Sequence, residues 1–132
     1  PIERGGGSML DPKLREILTT GGDGALTIVT NGPGGPHLVN RRNSYVLIEG
    51  DELLIPVGGM VHTGENLKRN NAVSLSVCNR DVMGLRSKGC GMTLPGTARI
   101  EERGPAFSAI RKQFSWARAA LVIRVEQSTQ TL

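Results

Sequence analysis

The spacing of apolar positions changes period several times along the chain, and each change marks an element. In "DPKLREILTT" Leu14, Ile17 and Leu18 fall on one helical face, with Asp11 placed as N-cap and Pro12 at the first helical position. Gly21-Gly22 ends that helix. "ALTIVT" is β-branched and predicts a strand, closed by the turn-rich "NGPGGP". Residues 36–50, "PHLVNRRNSYVLIEG", read as one buried strand: Val39, Tyr45, Val46, Leu47 and Ile48 are strand formers, yet Arg41 and Arg42 stand in its middle. Gly50-Asp51 predicts a hairpin turn into the strand "ELLIPVGG". "HTGENLKRN" predicts a short polar helical turn that Thr63 can cap.

The second half continues in the same way. "AVSLSVCN" alternates Val73, Leu75 and Val77 with Ser74, Ser76 and Cys78, the signature of a half-buried strand. "MGLRSKGCGM" reads as a glycine loop, and "TLPGTARIEE" as a strand in which Pro95 marks an edge or a bulge. "GPAFSAIRKQFSWARA" predicts an amphipathic helix from Pro105 with Phe107, Ile110 and Phe114 as its apolar stripe. "ALVIRVEQ" is a last strand, followed by a short tail to Leu132. The total is about six strands and two or three helices, with no regular βαβ alternation and no internal repeat. This predicts a mainly β fold, a small closed antiparallel barrel with peripheral helices.

Composition narrows the class. The chain has 132 residues, which favours one domain able to bury its own core. Its 18 glycines argue for turns and loops over a helical bundle. "GGGS" has flexible-linker composition, so residues 1–8 read as an expression remnant and residues 9–132 as the domain, with Met9 as a native start. A formal net charge of +4 suits an anionic small ligand. Aromatic residues are only 3%, which argues against a nucleic-acid surface, where stacking rings alternate with cations. Two cysteines make neither a disulfide framework nor a metal-ligand spacing, so a reduced, cytoplasmic protein is expected. There is no apolar run of about 18 residues, and no membrane partner is expected.

No catalytic set stands out: HExxH, GxSxG and P-loop patterns are all missing from the chain. "PVGGM" follows directly on a strand and "HTGEN" opens a helical turn just after it. Backbone N–H groups near a helix start, joined by His62 and the Thr63 hydroxyl, form a candidate phosphate cradle; a plain hairpin bend is the alternative. Gly89 and Gly91 flank Cys90 and allow close backbone approach, or simply a flexible loop. On composition alone Trp116, the single tryptophan, belongs in the core at a helix end.

The segments "GPHLVN", "NSYV", "PVGGM", "HT", "GPAFSAI", "FSWARAALVI" and the terminal "QTL" carry a resemblance. They resemble the small FMN-binding proteins of the split β-barrel superfamily, which also holds the pyridoxamine-phosphate oxidases, in one register from about residue 9 to 132. The resemblance implies a homodimer of six-stranded antiparallel split barrels with FMN held noncovalently between subunits. It places Asn40 and Arg41 near the phosphate. Arg42 would lie at the ring or the dimer rim, with Ser44 close by. Val57, Gly58, Gly59, His62 and Thr63 would hold ring and phosphate, and Gly89, Cys90 and Gly91 the glycine-loop wall. Trp116 and the partner's Leu132 would approach the isoalloxazine. A dianionic phosphate wants N–H groups and cations, and a flat ring wants apolar walls.

The departures from the family pattern cluster. Arg41-Arg42 stand where the family usually has Thr-Trp, Val61-His62 where it has His followed by a polar or basic residue, and "SKGCGMTL" where it has "GPGTGFLI". Their concentration on the expected pocket suggests an engineered variant, reworked for a new ligand, new optical behaviour or a designed assembly. Arg41 can pair with a phosphate bidentately but is bulkier than Thr. Losing the aromatic wall at position 42 should leave bound flavin less quenched. The expected function is a flavin-binding module or small electron carrier whose redox partner is not specified by the sequence. The alternatives are a split-barrel scaffold without FMN and a flavin-dependent reductase or oxidase. Strand alternation sends Arg41 and Arg42 to opposite faces, Arg41 being the phosphate candidate.

Overall fold

The computed structural model describes residues 10–132; the remnant expected at residues 1–8 lies outside them. Helix α1 (Pro12–Thr19) opens the fold. The Asp11 carboxylate accepts from the N–H groups of Lys13 at 2.7 Å and Leu14 at 3.4 Å, which satisfies two of the first-turn donors. Leu14, Ile17 and Leu18 are buried, each contributing about 2 kcal/mol of apolar transfer.

The strands are β1 (Ala25–Gly32), β2 (Gly35–Arg42), β3 (Leu47–Glu49), β4 (Glu52–Val57), β5 (Ala72–Met83), β6 (Lys88–Glu101), β7 (Ala119–Val125) and β8 (Thr129–Gln130). Six of them are long, matching the sequence count; β3 and β8 are short additions. They form one antiparallel sheet in the order β2-β1-β5-β6-β7-β4-β3, with β8 paired to β6. Helices α2 (Val61–Arg69) and α3 (Pro105–Gln113) lie outside it. Val39 of β2 and Ile48 of β3 pack on the same core as Leu53 and Ile55, so the sheet curls around one core. The barrel is split, not closed: β2 and β3 end the pairing order and leave a seam between them.

Burial follows the curl. Ile28, Leu53, Ile55, Val57, Leu75, Leu94, Ala119, Leu121 and Ile123 fill the barrel. Leu54, Ala120 and Val122 point the other way and pack with Ile110 of α3. Strands β4 and β7 are therefore covered on both faces, which explains their continuous apolar runs.

Several local expectations change. Residues 36–50 are not one buried strand. Strand β2 is a sheet end with only alternate residues half-buried, and a single 3-10 turn, Asn43–Tyr45, separates it from β3. The cause is tertiary. The buried Asn43 side chain donates to Cys78 O at 2.8 Å and its N–H to Gly24 O at 2.8 Å, pulling the chain out of the ladder. The segment "SKGCGM" is no loop: from Lys88 it already belongs to β6, and only the residues between Met83 and Lys88 turn. Thr63 is no cap; it lies inside the first turn of α2, whose N-cap is Met60 in the left-handed region at φ 56°. Helix α3 ends at Gln113, so Trp116 lies beyond it. Pro95 sits where β6 passes from pairing with β8 through Thr93 to pairing with β7 from Gly96, a place where its missing N–H costs no ladder bond.

Candidate functional site

Pleating decides which side chains of β2 reach the seam. Arg41 pairs with Leu26, Val39 with Ile28 and His37 with Thr30. Those three partners are buried, so Arg41, Val39 and His37 share the inner face. Arg42 and Asn40 face outward. Arg42 reaches Asp23 at 3.7 Å, and Asn40 accepts from the Thr27 hydroxyl at 2.9 Å. The alternation expected for the arginine pair is realised, with Arg41 as the inward member.

Arg41 is held in an unusual way. One terminal N–H donates to Asn40 O at 2.9 Å, while its Nε is buried with no partner. A buried, unpaired guanidinium N–H costs free energy unless something arrives to accept from it.

The connection from β4 to α2 forms the facing wall. Val57 is fully buried, Gly58 and Gly59 follow it, and Met60 turns the chain into α2. The first-turn N–H groups of α2 have no intrahelical acceptors, and no side chain caps them. Thr63 is 1% exposed and its hydroxyl has no partner. His62 lies across from His37, their ring centroids 5.7 Å apart. Its Nδ1 is 4.0 Å from the Glu65 carboxylate.

The other end of the seam is aromatic. Tyr45 lies 6.0 Å from Trp116 and 5.4 Å from Phe114, centroid to centroid. Trp116 is 53% exposed and covers Gly58, so the core position expected from composition is not the one it takes. Arg118 reaches the same turn, donating to Gly58 O at 2.7 Å and Gly59 O at 2.5 Å. His37, Tyr45, Phe114 and Arg118 were not marked by sequence reasoning. His37 and Tyr45 sit inside the segments "GPHLVN" and "NSYV", and the alternation of β2 was the available signal for His37.

The remaining candidates lie elsewhere. The Ser44 N–H and hydroxyl both donate to Asp23, at 3.0 and 2.8 Å. Those two bonds, led by the backbone one and joined by the Arg42 charge, hold the Asp23 carboxyl below its usual range. Gly89, Cys90 and Gly91 belong to β6, with β1 and β5 lying between it and β2. Cys90 is buried, which pushes its thiol pKa up, and Gln130 donates to its sulfur at 3.4 Å. Leu132 packs on Gly91 of its own chain, and its N–H donates to Gly91 O at 3.3 Å. A groove of about 570 Å³ runs between α2 and β6, lined by Val61, Gly64, Lys68, Ile100 and Arg118; His37, Arg41 and Thr63 take no part in it. Among the described residues no three His, Cys, Asp or Glu side chains gather as metal ligands, and no helix is long and apolar enough to cross a membrane.

A split antiparallel barrel with a buried, unpaired Arg41 Nε on β2, a buried, unpaired Thr63 hydroxyl on α2 and an aromatic cluster at Tyr45 and Trp116 defines the class. The sequence profile of pyridoxamine 5'-phosphate oxidase matches residues 10–131, and the chain belongs to that family. It is 43% identical over 125 residues to the FMN-binding protein of Nitratidesulfovibrio vulgaris (strain DSM 19637 / Miyazaki F), covering 94% of this chain and 100% of that one. The fold is shared with HupZ of Group A Streptococcus, at TM-score 0.74 and 17% identity over 92% of this chain and 94% of that one. An FMN-binding protein from Syntrophomonas wolfei subsp. wolfei has TM-score 0.69 and 16% identity over 91% of this chain and 84% of that one.

Proposed function

We propose that this protein is a noncovalent FMN-binding flavoprotein, acting as a small electron carrier or flavin-binding module. The observation that carries the reading is two orphaned buried groups, Arg41 Nε on β2 and the Thr63 hydroxyl on α2. Both are donors without acceptors, and a phosphate monoester is a dense acceptor. The uncapped start of α2 supplies further N–H donors between them and the Gly58-Gly59 turn. Tyr45 and Trp116, tilted against each other by 54°, offer aromatic surface on which one ring face can meet an isoalloxazine. The residues present therefore fit the group. Bound flavin supplies one- and two-electron transfer, and the protein sets its potential and access.

Position by position, Arg41, His62 and Thr63 take the phosphate end, and Val57, Gly58, Gly59 and Trp116 the ring end. Arg42 and Ser44 line the outer rim beside Asn40. The half-exposed Trp116 and the distance of Gly89, Cys90, Gly91 and Leu132 from the seam in one chain favour a homodimer, in which a second copy brings those four residues to the ring. The Arg41-Arg42 and Val61-His62 substitutions and the changed segment around residues 85–95 make this an altered, engineered pocket on a family scaffold. Two free cysteines, Cys78 and Cys90, fit a cytoplasmic setting.

The visible absorption spectrum of purified protein tests the cofactor. Flavin bands are expected, either as isolated or after titration with FMN. Protein that stays colourless and gains no flavin absorbance defeats the reading. Light scattering tests the dimer: a monomer holding FMN at full affinity removes any role for a second copy.

A further inference from the structure

Three successive carbonyls, those of Val57, Gly58 and Gly59, all accept from one residue. The Arg118 backbone N–H donates to Val57 O at 2.8 Å, its Nε to Gly58 O at 2.7 Å and its Nη2 to Gly59 O at 2.5 Å. The nearest carboxylate, Glu102, is farther away at 3.8 Å. The side chain is 44% exposed, so it had solvent available and is spent on backbone instead. A guanidinium offers its donors in a fixed planar fork, and this fork grips two consecutive peptide units.

Peptide geometry then dictates the consequence. In a trans peptide the C=O and the next N–H point in opposite directions, and the chain has no cis peptides among the described residues. Turning the Gly58 and Gly59 carbonyls toward Arg118 turns the Gly59 and Met60 N–H groups away from it. Those two N–H groups lead directly into the uncapped first turn of α2, where the Thr63 hydroxyl stands unpaired. Glycine peptides rotate with little steric resistance, so this orientation is not secured by the local sequence. Trp116, two residues before Arg118, covers the same Gly58.

We infer that Arg118 is a positioning residue for the cofactor site: it locks the Gly58-Gly59 peptides so that their N–H groups face the flavin side of the seam. This rests on the FMN reading above. It assigns to the "WAR" segment a role through backbone orientation, beyond any contact of Trp116 itself.

Two variants test it, Arg118→Met, which keeps the stem and removes the donors, and Arg118→Lys, which restores a single donor. In protein without flavin, the amide resonances of Gly59 and Met60 are measured by NMR. In flavin-loaded protein, the dissociation constant and midpoint potential are measured. Arg118→Met is expected to shift or broaden both amides, weaken FMN about tenfold and move the potential, while the melting temperature of the flavin-free protein stays close to wild type. Arg118→Lys recovers part of the affinity. Unchanged Gly59 and Met60 amides overturn the inference, as does wild-type affinity and potential in Arg118→Met. Equal damage in both variants, with matching loss of flavin-free stability, overturns it too, because that pattern belongs to a purely structural residue. Wild-type protein that binds no FMN defeats the cofactor reading alone; the amide shifts then still decide whether Arg118 orients the turn.

Discussion

Trp116 lies so close over Gly58 that a Cβ at position 58 would meet its Cζ3 at 3.3 Å and its Cε3 at 3.5 Å. The indole is half exposed at the edge of its cluster with Tyr45 and Phe114, so a methyl group should displace it without rebuilding the barrel. Gly58→Ala should lower the melting temperature by only a few degrees, roughly 1 kcal/mol in a domain of this size. Trp emission should shift to the red as the ring moves into water. An unchanged emission maximum shows that the indole does not depend on the glycine.

The two arginines of β2 should behave differently. Arg41 turns inward with a buried, unpaired Nε, whereas Arg42 is exposed beside Asp23. Arg41→Met should weaken FMN by about tenfold or more, the scale of a lost charge-assisted hydrogen bond. Arg42→Met should stay within about twofold, since exposed ion pairs contribute little. Fluorescence titration of both variants measures this, and a reversed ranking removes Arg41 from the phosphate site.

Thr63 sets stability against binding. Its hydroxyl is buried without a partner, and Val has nearly the same shape. Thr63→Val should stabilise the flavin-free protein by about 1 kcal/mol in urea unfolding, because a buried unsatisfied group is removed. The same change should weaken FMN. A variant that is destabilised and binds normally contradicts the placement of that hydroxyl at the site.

Asp23 carries a pH prediction. Its folded carboxyl pKa lies below the ordinary 3.8, chiefly through the Ser44 N–H and then the Ser44 hydroxyl. A depressed folded pKa contributes stability that is complete above the unfolded value and is lost as pH falls through the folded one. Asp23→Asn should therefore be less stable than wild type at neutral pH, with the gap narrowing below about pH 4. Thermal melts of both proteins across that range measure it; a gap that does not depend on pH shows that the charge is not what matters.

Much of the fold could be read from spacing. Helix α1 follows from Asp11, Pro12 and the Leu14, Ile17, Leu18 stripe, because cap and core face are encoded within one stretch. The alternation of β5 did the same. Residues 36–50 could not be divided correctly, because the break depends on Asn43 reaching Cys78 O, a partner far away in sequence. The site was half legible. Arg41, His62 and Thr63 stood out as polar chemistry beside a glycine turn or inside a strand, and the family resemblance supplied their context as candidates. The meeting of His37 with His62 arises only when α2 packs beside β1 and β2, and the grip of Arg118 on the Gly58-Gly59 turn only when β4 pairs with β7.

That curl has a mechanical consequence. Strands β2 and β3 exchange no ladder bonds, since each ends the pairing order. At one end the two strands are joined covalently by the Asn43–Tyr45 turn, and along the seam Val39 and Ile48 hold them to the shared core. Parting β2 from β3 would therefore cost buried apolar surface at Val39 and Ile48 and no ladder bond between the two strands.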